Sequence, residues 1–269
     1  MLLKNQNAIV YGAGGGIGGG VARTFAREGA RVFLAGRTRE KLEAVAADII
    51  AAGGAAEVAV IDATDEQAVN EHVRDVATRA GRLDISINLI SHGDTDAGGY
   101  VQGVPLTEIP AADFFRPITK GVLANYITAQ AAACQMVHQG SGAILTLTNA
   151  SSRGGAPLMG STGVVAAAIE SFARSLASEV GEYGVRVLGV KIAAVPELWA
   201  AKDLHTDVFE KDSGGLDRAG IEAALAQMSM LRRVTTLAQV ADVVAFLASD
   251  QAGGMTGTIT NLTGGMVPD

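Results

Sequence analysis

Short runs of Val, Ile and Leu recur along the chain, separated by longer stretches in which apolar residues return every three or four positions. Seven runs predict strands: 7–11, 32–35, 57–61, 85–90, 143–147, 185–190 and 258–262. They show little polar alternation, as strands covered on both faces should. The helical period marks 18–28, 39–52, 66–80 and 238–249, and predicts a helix over 160–180 with Val165, Ile169, Phe172, Leu176 and Val180 as its apolar stripe. This alternation predicts an α/β fold, a doubly wound parallel sheet of seven strands with helices on both faces, in a single domain spanning 1–269.

Two stretches break the rhythm, 91–116 and 193–230, the second with a short helix near its end. Both follow strand C-termini, where doubly wound sheets place their ligands. Loops of that length inside a compact domain usually cover a site, so 193–230 is expected to be a substrate cover. Its apolar residues Leu198, Trp199, Leu204 and Phe209 predict a small-molecule substrate of apolar or mixed character. Trp199, the only tryptophan, is placed either to stack on a ligand or to anchor the cover.

Composition narrows the function classes. With 48% hydrophobic and 18% charged residues, the 269-residue chain can bury a large core. A net charge of −7 with no Lys/Arg cluster predicts no nucleic-acid partner. The single cysteine, Cys134, excludes an internal disulfide, lacks metal-ligand spacing, and is expected to be a small buried apolar residue. No metal site is predicted. His72, His138 and His205 lack partner spacing and are expected on the surface. No apolar run reaches membrane-spanning length and the N-terminus carries no signal-peptide pattern, so a soluble cytoplasmic protein is expected.

The first strand runs into GAGGGIGGG, residues 12–20, and then a helix. In that context Gly12, Gly14, Gly15, Gly16, Ile17 and Gly18 predict a phosphate cradle. Glycine admits positive φ and a close approach of the pyrophosphate, and the helix N-terminus offers free N–H groups. The second strand ends in LAGRTREK, with Gly36 where a carboxylate would bind the ribose 2′-hydroxyl of NAD, followed by Arg37 and Thr38. An arginine fork clamps a 2′-phosphate, and Arg39 and Lys41 add positive potential. NADP(H) is therefore expected over NAD(H).

Several segments together resemble the short-chain dehydrogenase/reductase family: Gly12-x-x-x-Gly16-x-Gly18, IDATD at 61–65, SFARSLASEV at 171–180, and VADVVAFLASDQAGGMTGTITNLTGGM at 240–266. The resemblance covers nearly the whole chain and implies a Rossmann fold, with Asp62 and Ala63 at the adenine. It also implies that the segments at Asn88-Leu89-Ile90-Ser91 and Ile192-Ala193 flank the nicotinamide, which brings Asn88, Ser91 and Ile192 into the cofactor site. In the family a Tyr, assisted by a Lys four residues on, moves the proton, a Ser positions the substrate oxygen, and an Asn holds a relay water. Carried over by position, Tyr falls on Thr162, Lys on Ala166, Ser on Asn149 (a shift of two or three gives Ser151 or Ser152), and Asn on Lys120, aligned through PITKGVLANYITAQAA at 117–132. No lysine lies between Lys120 and Lys191, and Tyr183 belongs to a connection far from the site. Lys120 and His92 are the remaining candidate proton donors, and Ser91, Ser151 and Ser152 could orient a carbonyl.

Two readings follow. One is an NADP(H)-dependent oxidoreductase with a rearranged proton donor, acting on a carbonyl or alcohol. The other is a catalytically inactive NADP(H)-binding sensor or partner subunit. The resemblance also implies a homo-oligomer, a tetramer or dimer, and the small residues Ala166, Ala167, Ala173 and Ala177 would let helices pack closely.

Overall fold

The computed structural model describes residues 1–90, 101–154, 157–200 and 218–268. Seven strands form one parallel sheet: β1 (Asn7–Tyr11), β2 (Arg31–Gly36), β3 (Ala55–Val60), β4 (Ile85–Asn88), β5 (Gly142–Asn149), β6 (Val185–Ile192) and β7 (Ile259–Leu262). Their order is β3-β2-β1-β4-β5-β6-β7. The helices are α1 (Gly16–Arg27), α2 (Arg39–Ala51), α3 (Glu66–Ala80), α4 (Ala111–Gln139), α5 (Thr162–Val180), α6 (Arg218–Met228) and α7 (Leu237–Ala248). Strand order reverses between β1 and β4, and doubly wound sheets bind ligands in the crevice at such a switch point, beyond the strand C-termini. The glycine turn after β1 and the loop after β4 meet there.

Successive strand residues point to opposite faces, and each face feeds its own core. Ala8, Val10, Val32, Leu34, Leu188 and Val190 join Phe25 of α1, Leu42 of α2 and Val244 of α7. Ile9, Tyr11, Phe33, Ile144 and Val187 join Val73 of α3, Ile127 of α4 and Ala173 of α5. Continuous apolar strands between two helical layers are what the sequence pattern predicts. α7 is closed at both ends. Thr236 and Gln239 form a capping box at its start. At its end the Arg186 guanidinium donates to the carbonyls of Leu247, Ala248, Ser249 and Ala252.

Several expectations need correcting. α4 begins at Ala111, inside the stretch read as irregular, because Pro117 hides the helical period while its ring is tolerated seven residues in. On α5 the stripe turns slightly: Val165, Ile169 and Val180 are buried with Ala173 and Ala177, whereas Phe172 is half-buried against the Tyr126 ring. Ala166, Ala173 and Ala177 therefore face the protein's own sheet and leave Ala167 alone of the four small residues exposed. They carry no argument for pairing between subunits. Cys134 is exposed, on the side of α4 turned from the sheet. His72 is buried against the Tyr11 ring, since α3 presents it with Val69, Val73 and Val76 to β1.

Candidate functional site

The glycine turn is built to let something approach. Gly12 has φ +78°, and a Cβ there would stand 2.7 Å from the Leu89 carbonyl oxygen. A Cβ on Gly18 would collide with the Gly12 carbonyl oxygen, so this glycine seats α1 directly over the end of β1. Gly15 is the N-cap of α1 and brings no side-chain cap. The first N–H groups of α1 thus keep their partial positive charge for an anion. Gly14 lies against the Lys41 side chain, and Gly16 lies under Leu198, which reaches over from the short 3₁₀ segment Pro196–Ala200 after β6. Ile17 packs into the core beneath.

At the end of β2, Gly36 lies against Leu42, and a Cβ there would stand 3.3 Å from the end of the leucine side chain, a tight contact. Arg37, Thr38, Arg39 and Lys41 are all exposed along this edge, and Thr38 caps α2 without a side-chain bond. Asp62 follows β3. Burial works against its charge, yet its carboxyl sits below the ordinary range: Thr64 donates both its N–H (2.9 Å) and its hydroxyl (2.7 Å), and the charges of Arg37 and Lys120 add to this. Ala63 beside it is buried. Lys120 stands on the exposed side of α4, away from the buried Gly121, Ala124 and Asn125, and it is felt at Asp62. The Lys120 ammonium thus lies within electrostatic reach of the Asp62 carboxylate.

The far half of the crevice centres on the start of α5. Asn88 closes β4. Its amide donates to the Ala124 carbonyl (3.1 Å) and to Thr128 Oγ1 (2.9 Å), and its Oδ1 accepts from the Ile90 N–H (3.1 Å). Its side chain braces the strand to α4, leaving only backbone to a ligand. Ile192 ends β6, buried, in register with Asn149 and Leu262. Asn149 turns its side chain back to accept from the Ser151 N–H (3.0 Å), which shapes the 3₁₀ turn Ala150–Ser152. This turn presses on α5, where a Cβ on Gly163 would stand 2.5 Å from the Ser151 carbonyl oxygen.

Thr162 opens α5, buried, and its hydroxyl accepts from Gln102 Nε2 at 3.1 Å. The chain around Gln102 is strapped to the same place, with the Gly103 N–H donating to the Leu158 carbonyl and Val101 lying against Gly160. One turn on, Ala166 is buried. Another turn on stands Glu170, buried, whose Oε1 accepts from the Ser152 hydroxyl (2.6 Å) and the Thr148 hydroxyl (3.1 Å). Thr148 is the register partner of the fully buried Lys191.

Sequence reasoning missed Glu170 and Lys191. The signals were there: an acid spaced by four from Ala166 on an inward stripe, and a lysine in the otherwise apolar strand VLGVKI. Glu197, in the 3₁₀ segment after β6, accepts from the Leu237 N–H at the head of α7 (3.1 Å). Ser91, His92, Leu204, His205, Phe209 and the side chain of Trp199 lie outside the described residues. Among the described residues no three His, Cys, Asp or Glu side chains converge as a metal site, and no helix is long and apolar enough to cross a membrane.

A family model described as Enoyl-(Acyl carrier protein) reductase matches residues 12–267. The 7alpha-hydroxysteroid dehydrogenase of Escherichia coli (strain K12) is 29% identical over 267 residues, covering 99% of this chain and 96% of its own. A probable 2,4-dienoyl-CoA reductase of Caenorhabditis elegans is 30% identical over 98% of this chain and 81% of its own. Among solved structures, a short-chain type dehydrogenase/reductase from Mycobacterium ulcerans superimposes with a TM-score of 0.84 at 26% identity, over 99% of this chain and 91% of that one. A putative NAD(P)-dependent gluconate 5-dehydrogenase from Beutenbergia cavernae, solved with bound NADP, gives 0.80 at 26% identity, over 98% and 97%. With matches of this extent on top of the sheet order and the glycine turn, the chain belongs to the short-chain dehydrogenase/reductase family.

Proposed function

We propose that this protein is an NADP(H)-dependent oxidoreductase that interconverts an alcohol and a carbonyl on a small substrate of apolar or mixed character. The observation that carries the reading is the pairing of an uncapped, glycine-seated α1 N-terminus with an edge at Gly36 that offers Arg37 and no carboxylate. The residues present fit the nucleotide. Backbone from Gly12 to Gly18 would hold the pyrophosphate, Arg37 and Thr38 the 2′-phosphate, and Asp62 and Ala63 the adenine. Backbone at Asn88, Ser91 and Ile192 would flank the nicotinamide. When bound, that ring supplies or takes the hydride, and the chain's own task is to orient the substrate and move a proton. The proposal includes a homo-oligomeric protein of the cytoplasm.

Thermal unfolding with NADPH, with NADH and without nucleotide tests the cofactor assignment. A hundredfold excess over Kd adds about 2.7 kcal/mol, so a shift with NADPH well above that with NADH is expected. Equal shifts would refute the role given to Arg37, and no shift with either would refute the nucleotide site. A second reading, a non-catalytic NADP(H)-binding protein, is favoured by Thr162 and Ala166 at the start of α5, one tied up by Gln102 and the other without a functional group.

A further inference from the structure

Glu170 and Lys191 are the two Asp, Glu, Lys or Arg side chains buried among the described residues. Thr148 stands between them: its Oγ1 lies 3.1 Å from the Glu170 carboxylate, and it is registered beside Lys191. Partners in a parallel ladder project to the same face, so both side chains rise toward α5, roughly 4.8 Å apart at their strands. Burying a carboxylate costs several kcal/mol unless donors and an opposite charge offset it, and an apolar pair in the same volume usually serves stability as well. The arrangement has one feature that packing does not require. Ser152, half-buried on the turn pressed against α5, donates a 2.6 Å hydrogen bond inward to Glu170. It therefore links the crevice side of α5 to the buried carboxylate, on the stripe that begins with Thr162 and Ala166.

We infer that Ser152 and Glu170 form the proton relay of this site. Ser152 meets the substrate oxygen, Glu170 holds the proton behind it, and Lys191 balances the carboxylate. The inference rests on the oxidoreductase reading. In alcohol oxidation the substrate O–H bond breaks and its proton moves to Ser152 Oγ, while the proton already on Ser152 passes to Glu170 Oε1. The O–H electron pair becomes the second carbon–oxygen bond, and the hydride lost from carbon with its own pair would be taken up by the oxidised nicotinamide when that group is bound. Carbonyl reduction runs the same transfers backwards. A lone serine hydroxyl is too weak an acid for this work, but with a carboxylate as its acceptor it never carries the charge.

Glu170→Gln and Ser152→Ala test the relay, beside their double variant. NADPH binding is read from nicotinamide fluorescence, and turnover from NADPH oxidation with 2,3-butanedione and with cyclohexanone across pH. Expected are Kd values within about twofold of wild type, turnover lower by about 100-fold in each single variant, and no further loss in the double. Glu170→Gln should also lose one limb of the kcat pH profile, which a structural role would leave in place. Infrared difference spectra across pH give a readout free of turnover: a titrating carboxyl band absent in Glu170→Gln and shifted in Ser152→Ala. If wild type fails to bind NADPH, the functional reading falls and the relay falls with it. If NADPH binds but neither ketone is reduced, a band that Ser152→Ala shifts supports the coupled Ser152–Glu170 pair, and a band indifferent to it overturns the relay. Binding intact with more than half the turnover and an unchanged pH profile in Glu170→Gln, or a band indifferent to Ser152→Ala, overturns the relay.

Discussion

His72 should make this protein lose stability in mild acid, and the size of the loss can be worked out. Its side chain is 8% exposed, packed edge-on to Tyr11 with ring centroids 6.4 Å apart, and its Nδ1 has no hydrogen-bond partner. Burial is the main cause that lowers its pKa from 6.5 to about 4. Asp75 and Glu57 pull it back up, while the Arg79 charge lowers it further. The folded pKa is depressed, so the folded state keeps a neutral ring where the unfolded chain binds a proton. Stability is therefore full above the unfolded pKa and drains as pH falls from 6.5 toward 4. Each pH unit in that window costs about 1.4 kcal/mol, so lowering pH from 8 to 5 should remove roughly 2 kcal/mol. For a domain of this size that is about 4–8 °C in Tm. Carboxylates held below their ordinary range, such as Glu57 and Asp62, begin to cost stability only below about pH 4.5 and stay outside the window. The assay is urea unfolding of wild type and His72→Leu at pH 8, 7, 6 and 5, taking the difference between the two at each pH so that other histidines cancel. Wild type should lose about 2 kcal/mol relative to the variant across the series. Parallel curves would show that His72 is protonated in the fold or solvated there, and would refute the argument from burial.

Further outcomes follow from the same structure. Arg186→Met leaves four carbonyls at the end of α7 without their donor and should cost about 3 kcal/mol in urea unfolding, with Arg186→Lys recovering only part because an ammonium cannot span the fork. Gly18→Ala drives a Cβ into the Gly12 carbonyl oxygen and should abolish the NADPH-induced rise in Tm and lower the basal Tm, whereas Gly181→Ala, at helical φ −61° with open space around it, should leave both unchanged. Gly36→Asp, whose Cβ presses only on the flexible end of the Leu42 side chain, should exchange the larger thermal shift from NADPH to NADH, since the carboxylate repels a 2′-phosphate and accepts from a 2′-hydroxyl. An unchanged preference would remove this strand end from cofactor choice.

What the sequence disclosed and what it hid divide along a physical line. The strands of this sheet are buried on both faces, so they need unbroken apolar runs, and such runs are visible one residue at a time. Glycines that must admit a backbone or a phosphate are visible for the same reason, since Gly12 and Gly18 each answer a steric demand that no other residue meets. Pro117 shows the first failure. It sits inside α4, whose first turn, from Ala111, falls in the stretch 91–116 where the sequence shows no helical rhythm. The polar compartment shows the deeper one. Glu170 looks like a surface acid and Ser152 like a turn former until β5, β6 and α5 are laid together. Only then do residues 18 positions apart come within 2.6 Å. His72 was misplaced by the same blindness, because three valines on its helix face fix its direction and its own polarity does not. A position-by-position transfer from relatives searches the places where catalytic residues usually stand. The resemblance carries the Tyr and Lys positions onto Thr162 and Ala166, and on that register the next place to look is wherever the fold has accepted a buried charge, because the desolvation cost demands a return that apolar packing would have given without it. Here that place is one helical turn beyond Ala166, with a hydroxyl already aimed at it from the crevice.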